Sequence, residues 1–84
     1  MKPIRLSGHA IEQLLFRGTT EDEVIDAIST STWGSAELGR RDCRKSFTFE
    51  NIWNTKYYKI KQVRPIFIEG ESEIVVVTVY TYFF

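Results

Sequence analysis

The apolar positions of this chain follow two different periods. In the N-terminal third, Ile11, Leu14 and Leu15 recur at the spacing that gathers side chains on one helical face. Ser7 stands where a hydroxyl caps exposed helix N–H groups, and Gly18 stands where a helix ends in a left-handed residue, so a first helix is predicted from about Ser7 to Arg17. The next segment, TEDEV, places Thr20 and Glu23 in capping-box register and puts three carboxylates in a first turn, where the helix dipole favours them. A second helix follows to about Thr30, with Val24, Ile25 and Ile28 as its apolar stripe.

Beyond residue 42 the period becomes two. In CRKSFTF, Cys43, Lys45, Phe47 and Phe49 share one side, and Arg44, Ser46 and Thr48 share the other. The asparagines of NIWN mark a turn, and TKYYKIKQV begins a strand that RPIFIE continues. Pro65 has no N–H to give a ladder, which predicts a bulge or an unpaired edge position there. EGES closes a hairpin onto EIVVVTVYTYFF, a strand apolar on both faces whose last aromatics either stay in the sheet or seek a partner. The expected fold is α+β: two N-terminal helices packed on a three- to four-stranded antiparallel sheet, in a single domain spanning 1–84.

Composition supports one core. At 43% hydrophobic and 14% aromatic, 84 residues carry enough apolar surface to offset the ordering of one small domain and too little chain for two. The lone Cys43 permits no internal disulfide and is read as a buried thiol. The scarcity of Cys and His gives no recognisable metal-ligand spacing, so neither a metal nor another cofactor is expected. MKPIRLSGH lacks the apolar core of a secretory signal, and IVVVTVY is too short to cross a bilayer, so a cytoplasmic protein without membrane contact is expected.

Net charge is zero, but the charges are segregated. Residues 40–64 hold eight cations against two carboxylates, +6, while the remainder holds three against nine, −6. Trp53, Tyr57 and Tyr58 interleave with the cations, as a stacking platform for unpaired nucleotides requires. The same lysines and arginines also suit exposed strand faces that must resist aggregation. Acidic helices argue against a helix-turn-helix DNA reader. With Ile11, Leu14 and Leu15 turned inward, His9, Glu12, Gln13 and Phe16 face outward. His9, the single histidine, then lies in a first helical turn, where the dipole disfavours its cationic form and leaves a base available. A histidine near a helix start most often just bonds a neighbouring carbonyl or strand residue, and one without a partner in sequence is weak evidence for catalysis.

Ser7, His9 and Ala10, then Arg17 and Gly18, then Thr20, Glu23 and Val24 form the pattern S-x-H-A, R-G, T/S-x-x-E/D-V. With the closing VVTVY of residues 76–80, this resembles the short prokaryotic proteins of domain-of-unknown-function family 4258. Family members often carry an arginine one turn after the histidine, where this chain has Gln13. The resemblance implies a layout similar to BrnT- and RelE-type toxins, small ribonucleases held in check by a cognate antitoxin. On that reading the chain cleaves RNA without metal: His9 serves as base or acid, Tyr80 as proton donor or stacking residue, and Arg17, Arg44, Lys59, Lys61 and Arg64 as phosphate contacts. The alternative is a non-enzymatic module that forms a homodimer, or binds another protein, through the aromatic C-terminal strand YTYFF.

Overall fold

The computed structural model covers all 84 residues and contains two helices and a six-stranded mixed sheet. Strand β1 (Ile4–Leu6) leads into α1 (Gly8–Arg17) and α2 (Glu21–Thr30). Two short strands follow, β2 (Gly34–Ser35) and β3 (Arg41–Asp42), joined through a 3-10 turn at Glu37–Gly39. The chain ends in β4 (Lys45–Trp53), β5 (Lys56–Glu69) and β6 (Ile74–Phe83). The α+β class is as expected, but the sheet is larger than three or four strands and is not purely antiparallel. Strand β1 pairs with β6 in parallel, and β2 and β3 extend the far side in the order β1-β6-β5-β3-β2, with β4 also on β5. Strands of two or three residues complete no hydrophobic period, so nothing in their sequence marks them.

Both helices form for the local reasons given by their ends. Ser7 accepts from the Ala10 N–H, and Gly18 closes α1 at φ 68°, donating its N–H to the carbonyls of Leu14 and Leu15. Thr20 and Glu23 make the reciprocal capping box at the start of α2. The core lies between helices and sheet: Ala10, Val24, Ala27 and Ile28 meet Cys43, Val63, Phe67, Ile74, Val76 and Val79. Trp33 packs edge-on against Phe67 at 5.0 Å and donates its indole N–H to the Ile28 carbonyl.

Helix α1 is turned differently from the expected stripe. Leu14 packs against the core, but Ile11 and Leu15 are exposed, and Ala10 and Gln13 face the sheet in their place. The cause is polar. Helix α1 lies beside β6 where β1 no longer pairs with it, and the Gln13 side-chain oxygen accepts from the Val79 N–H (3.0 Å) and the Thr78 hydroxyl (2.6 Å). Turning Ile11 and Leu15 inward would carry the Gln13 amide away and leave that sheet-edge N–H without a partner.

Strands β3 and β4 run in one register along β5, from Asp42↔Ile66 to Lys45↔Val63, with the ladder interrupted at Cys43 and Arg44. Pro65 sits opposite that interruption. Strand β5 is an interior strand, not an edge: Pro65 pairs with Val79 of β6 while its other side, toward β3 and β4, makes no ladder bond, with a register irregularity following at Ile66 and Phe67. The β4 alternation holds. Cys43 is in the core, Lys45 reaches Asp26 of α2 at 2.9 Å, and Phe49 packs on Phe83, while Arg44, Ser46 and Thr48 are exposed on the other side. The final aromatics remain in the sheet: Phe83 sits among Phe49, Trp53 and Tyr58, and the Phe84 backbone pairs with Ile60.

Candidate functional site

On the sheet face away from the helices, a cavity of about 320 Å³ opens between the 36–40 turn and strands β5 and β6. Its floor is Ile66 and Thr78, and Arg64, Tyr80 and Tyr82 stand around it. The wall is the turn itself, with Ala36, Glu37, Leu38 and Arg40. That turn reverses through two left-handed residues, Leu38 at φ 61° and Gly39 at φ 72°. A leucine is seldom held so. The reversal closes on backbone bonds between Ala36, Glu37 and Arg40, which place the Arg40 side chain over the sheet.

Three guanidinium groups lie against the two tyrosines, and a fourth, that of Arg40, lines the same cavity. Arg64 donates to Asp42 at 2.8 Å, which fixes its direction and stabilises its charge. Its central carbon is 5.8 Å from the Tyr80 ring centre, and that of Arg17 lies 5.4 Å from the same ring. Arg17 reaches this face from the last turn of α1, whose end is tied to β6 by the Thr81 hydroxyl donating to the Arg17 carbonyl. Arg44 donates to Gln62 and lies 5.5 Å from the Tyr82 ring. Arg40 forms no ion pair, and its buried Nε–H has no acceptor. A buried donor without a partner within the chain is unfavourable by about 1–3 kcal/mol.

Of the residues singled out from the sequence, Arg17, Arg44, Arg64 and Tyr80 therefore come together. Three do not. Lys61 points to the opposite face, with its side chain only 7% exposed. It donates to Glu23 at 2.7 Å and to the Gly18 carbonyl at 3.0 Å, which corrects its assignment as a phosphate contact. Burial opposes ionisation of Glu23, but the Lys61 ammonium and the N–H and hydroxyl donors of Thr20 and Thr19 outweigh it and hold that carboxyl below its ordinary range. Lys59 is exposed on the β4–β5 hairpin past the end of β6, outside the cavity lining. His9 is exposed at the start of α1, makes no hydrogen bond or ion pair, and does not line the cavity. The lone imidazole and the arginine cluster share no cleft.

Three polar lining residues, Glu37, Arg40 and Tyr82, do not stand out as site residues from the sequence, Tyr82 being read there only as part of the aromatic YTYFF strand. Arg40 belonged to the cationic run, and the Leu-Gly pair before it is a turn signal, but their meaning depends on the reversal that brings them over β5 and β6. Cys43 lies beneath the opposite face. Burial, with the Asp42 carboxylate beside it, pushes the thiol up to about 11, so it stays protonated near neutrality, and no group of three or more Cys, His, Asp and Glu side chains is arranged to hold a metal ion. No helix is long and apolar enough to cross a membrane. No protein-family model, no curated protein and no solved structure matches this chain.

Proposed function

We propose that the protein binds single-stranded RNA on the open sheet face and cleaves it without metal, in the manner of the ribonuclease toxins whose layout the resemblance to family 4258 implies. The observation that carries this reading is the gathering of Arg17, Arg44 and Arg64 against Tyr80 and Tyr82, beside a cavity that Arg64 and both tyrosines line together with Arg40. Three of those guanidinium groups lack a carboxylate partner, so phosphate oxygens supply the missing counter-charge. Tyrosine rings accept unpaired bases by stacking, and a cavity at the small end of the ligand-site range suits one nucleotide unit.

Cleavage proceeds by attack of a 2′-oxygen on the adjacent phosphorus, with loss of the 5′-oxygen, giving a cyclic phosphate and a free 5′-hydroxyl. Glu37, which has no ion pair and lines the cavity, accepts the 2′-hydroxyl proton. The Tyr80 hydroxyl donates one to the leaving oxygen, and the arginines stabilise the extra negative charge of the transition state. His9 takes no part. A cognate antitoxin belongs to the same reading. Labelled single-stranded RNA incubated with the wild type and with Arg64→Ala, Tyr80→Phe, Glu37→Gln and His9→Ala variants tests it. Binding should weaken about tenfold in Arg64→Ala, and cleavage should fall about 100-fold or more in Glu37→Gln and Tyr80→Phe. His9→Ala should behave as wild type. Failure of the wild type to retain RNA at low salt overturns the reading, and loss of cleavage in His9→Ala overturns the assignment of roles.

A further inference from the structure

The end of α1 is gripped from three sides. A helix leaves its final carbonyls without partners of its own, and at a surface water takes them. Here two successive carbonyls are taken by side chains from two different strands. The Thr81 hydroxyl of β6 donates to the Arg17 carbonyl, and the Lys61 ammonium of β5 donates to the Gly18 carbonyl at 3.0 Å. The third hold is steric. A β-carbon added at Gly18 would lie 2.8 Å from the nearest carbon of the Trp53 ring, closer than such carbons approach, and the residue's φ of 68° already favours glycine. Trp53 is itself backed by Phe83, on which it stacks at 5.2 Å, and Phe83 packs against Phe49.

This grip acts on the other side of the sheet. Thr81 pairs with Val63 and belongs to the covered face, whereas its neighbour Tyr80 pairs with Arg64 and turns to the open one. Arg17 thus starts from a backbone fixed on the covered side and passes the flank of β6 that β1 leaves free, so that its guanidinium carbon stands 5.4 Å from the Tyr80 ring centre. No carboxylate aims that guanidinium. Where it can reach is therefore set by where its backbone is held.

From this geometry we infer that Thr81 and Trp53 are positioning residues for the open-face site: acting through the Arg17–Gly18 backbone, they set the Arg17 guanidinium over Tyr80, where it meets a phosphate of bound RNA. The contact with phosphate rests on the RNA reading; the placement of Arg17 does not. Trp53 then serves as a buttress beneath the end of α1, not as a stacking surface for a base.

Nuclear magnetic resonance of the full chain reads the placement without RNA. The Tyr80 ring current should move the Arg17 side-chain protons upfield, and Tyr80→Leu should return them to ordinary values. Thr81→Val keeps the shape of the side chain, removes the hydroxyl, and is expected to remove most of that shift. Thr81→Ser keeps the hydroxyl and should keep the shift. Gly18→Ala is the second variant, since it disturbs the seat on Trp53 and leaves Thr81 untouched; it too should lose the shift. RNA binding reads the consequence: Thr81→Val should lower the slope of log affinity against log salt by about 0.7, as Arg17→Ala does, and the double variant should lower it no further. Absence of the upfield shift in the wild type overturns the assignment, and so does its survival in Thr81→Val or in Gly18→Ala. Additive losses in the double variant also overturn it. A wild type that binds no RNA overturns the RNA reading alone, and the resonance shifts then decide the placement by themselves.

Discussion

The two faces of the sheet carry the same kinds of residue to opposite ends. Beneath the helices, Lys61 lies among Phe49, Glu23 and the Gly18 carbonyl, with every need of its ammonium met from within the chain. On the open face, Arg17 and Arg44 lie at similar distances from Tyr80 and Tyr82, but no carboxylate completes them. A cation beside an aromatic ring is thus no sign of function by itself. The presence or absence of an internal counter-charge separates a structural cation from one left for a ligand.

That contrast predicts stability losses on one side and binding losses on the other. The largest stability effect belongs to Phe67→Ala, which empties the centre of the covered face and should cost about 4 kcal/mol in urea denaturation, roughly 20 °C in melting temperature. Glu23→Gln should cost about 2–3 kcal/mol, because it leaves the Lys61 charge buried without its partner. Its pH dependence gives a sharper check. The Glu23 carboxyl titrates lower in the folded than in the unfolded chain, so its contribution is fully present above the ordinary carboxylate range and disappears as pH falls through the lowered value. Wild type and Glu23→Gln should therefore differ by a constant amount near neutrality and converge in acid. A gap that persists at the lowest pH would show that Glu23 acts by packing alone. The smallest stability effect belongs to Arg44→Ala on the open face, within about 0.5 kcal/mol of wild type. The same change should lower the slope of log affinity for single-stranded RNA against log salt by about 0.7. An Arg44→Ala protein that melts far below wild type would erase the distinction between the faces.

Most of the regular structure was legible because it rests on local chemistry. Ser7, Gly18, Thr20 and Glu23 act within a few residues of themselves, and the alternation from Cys43 to Phe49 needs only the pleat of one strand. Helix rotation was not legible, since Ile11 and Leu15 form an apolar stripe as regular as any buried one. The residue that overrides them, Gln13, responds to an N–H 66 positions away. Strand β1 is illegible for a related reason: three residues carry no period, and the segment is held by the distant β6. Arg17, Arg44, Arg64 and Tyr80 of the candidate site followed from charge and aromatic content. Lys61 was misplaced because composition does not say which face of a strand looks toward Glu23. The contribution of Glu37 and Arg40 depends on the left-handed pair Leu38 and Gly39, whose geometry appears only once the chain has doubled back.

The amide of Gln13 has a further effect through the rung it occupies. Beyond the reach of β1, strand β6 would present a bare flank, and the outward N–H of Val79 is the group that an arriving strand from another molecule would seize first. One oxygen from α1 already fills that position and holds the adjacent Thr78 hydroxyl as well. Sheet growth by recruitment of foreign chains is thereby blocked at this flank, and a Gln13→Leu protein should form fibrils sooner on storage, even where its fold survives.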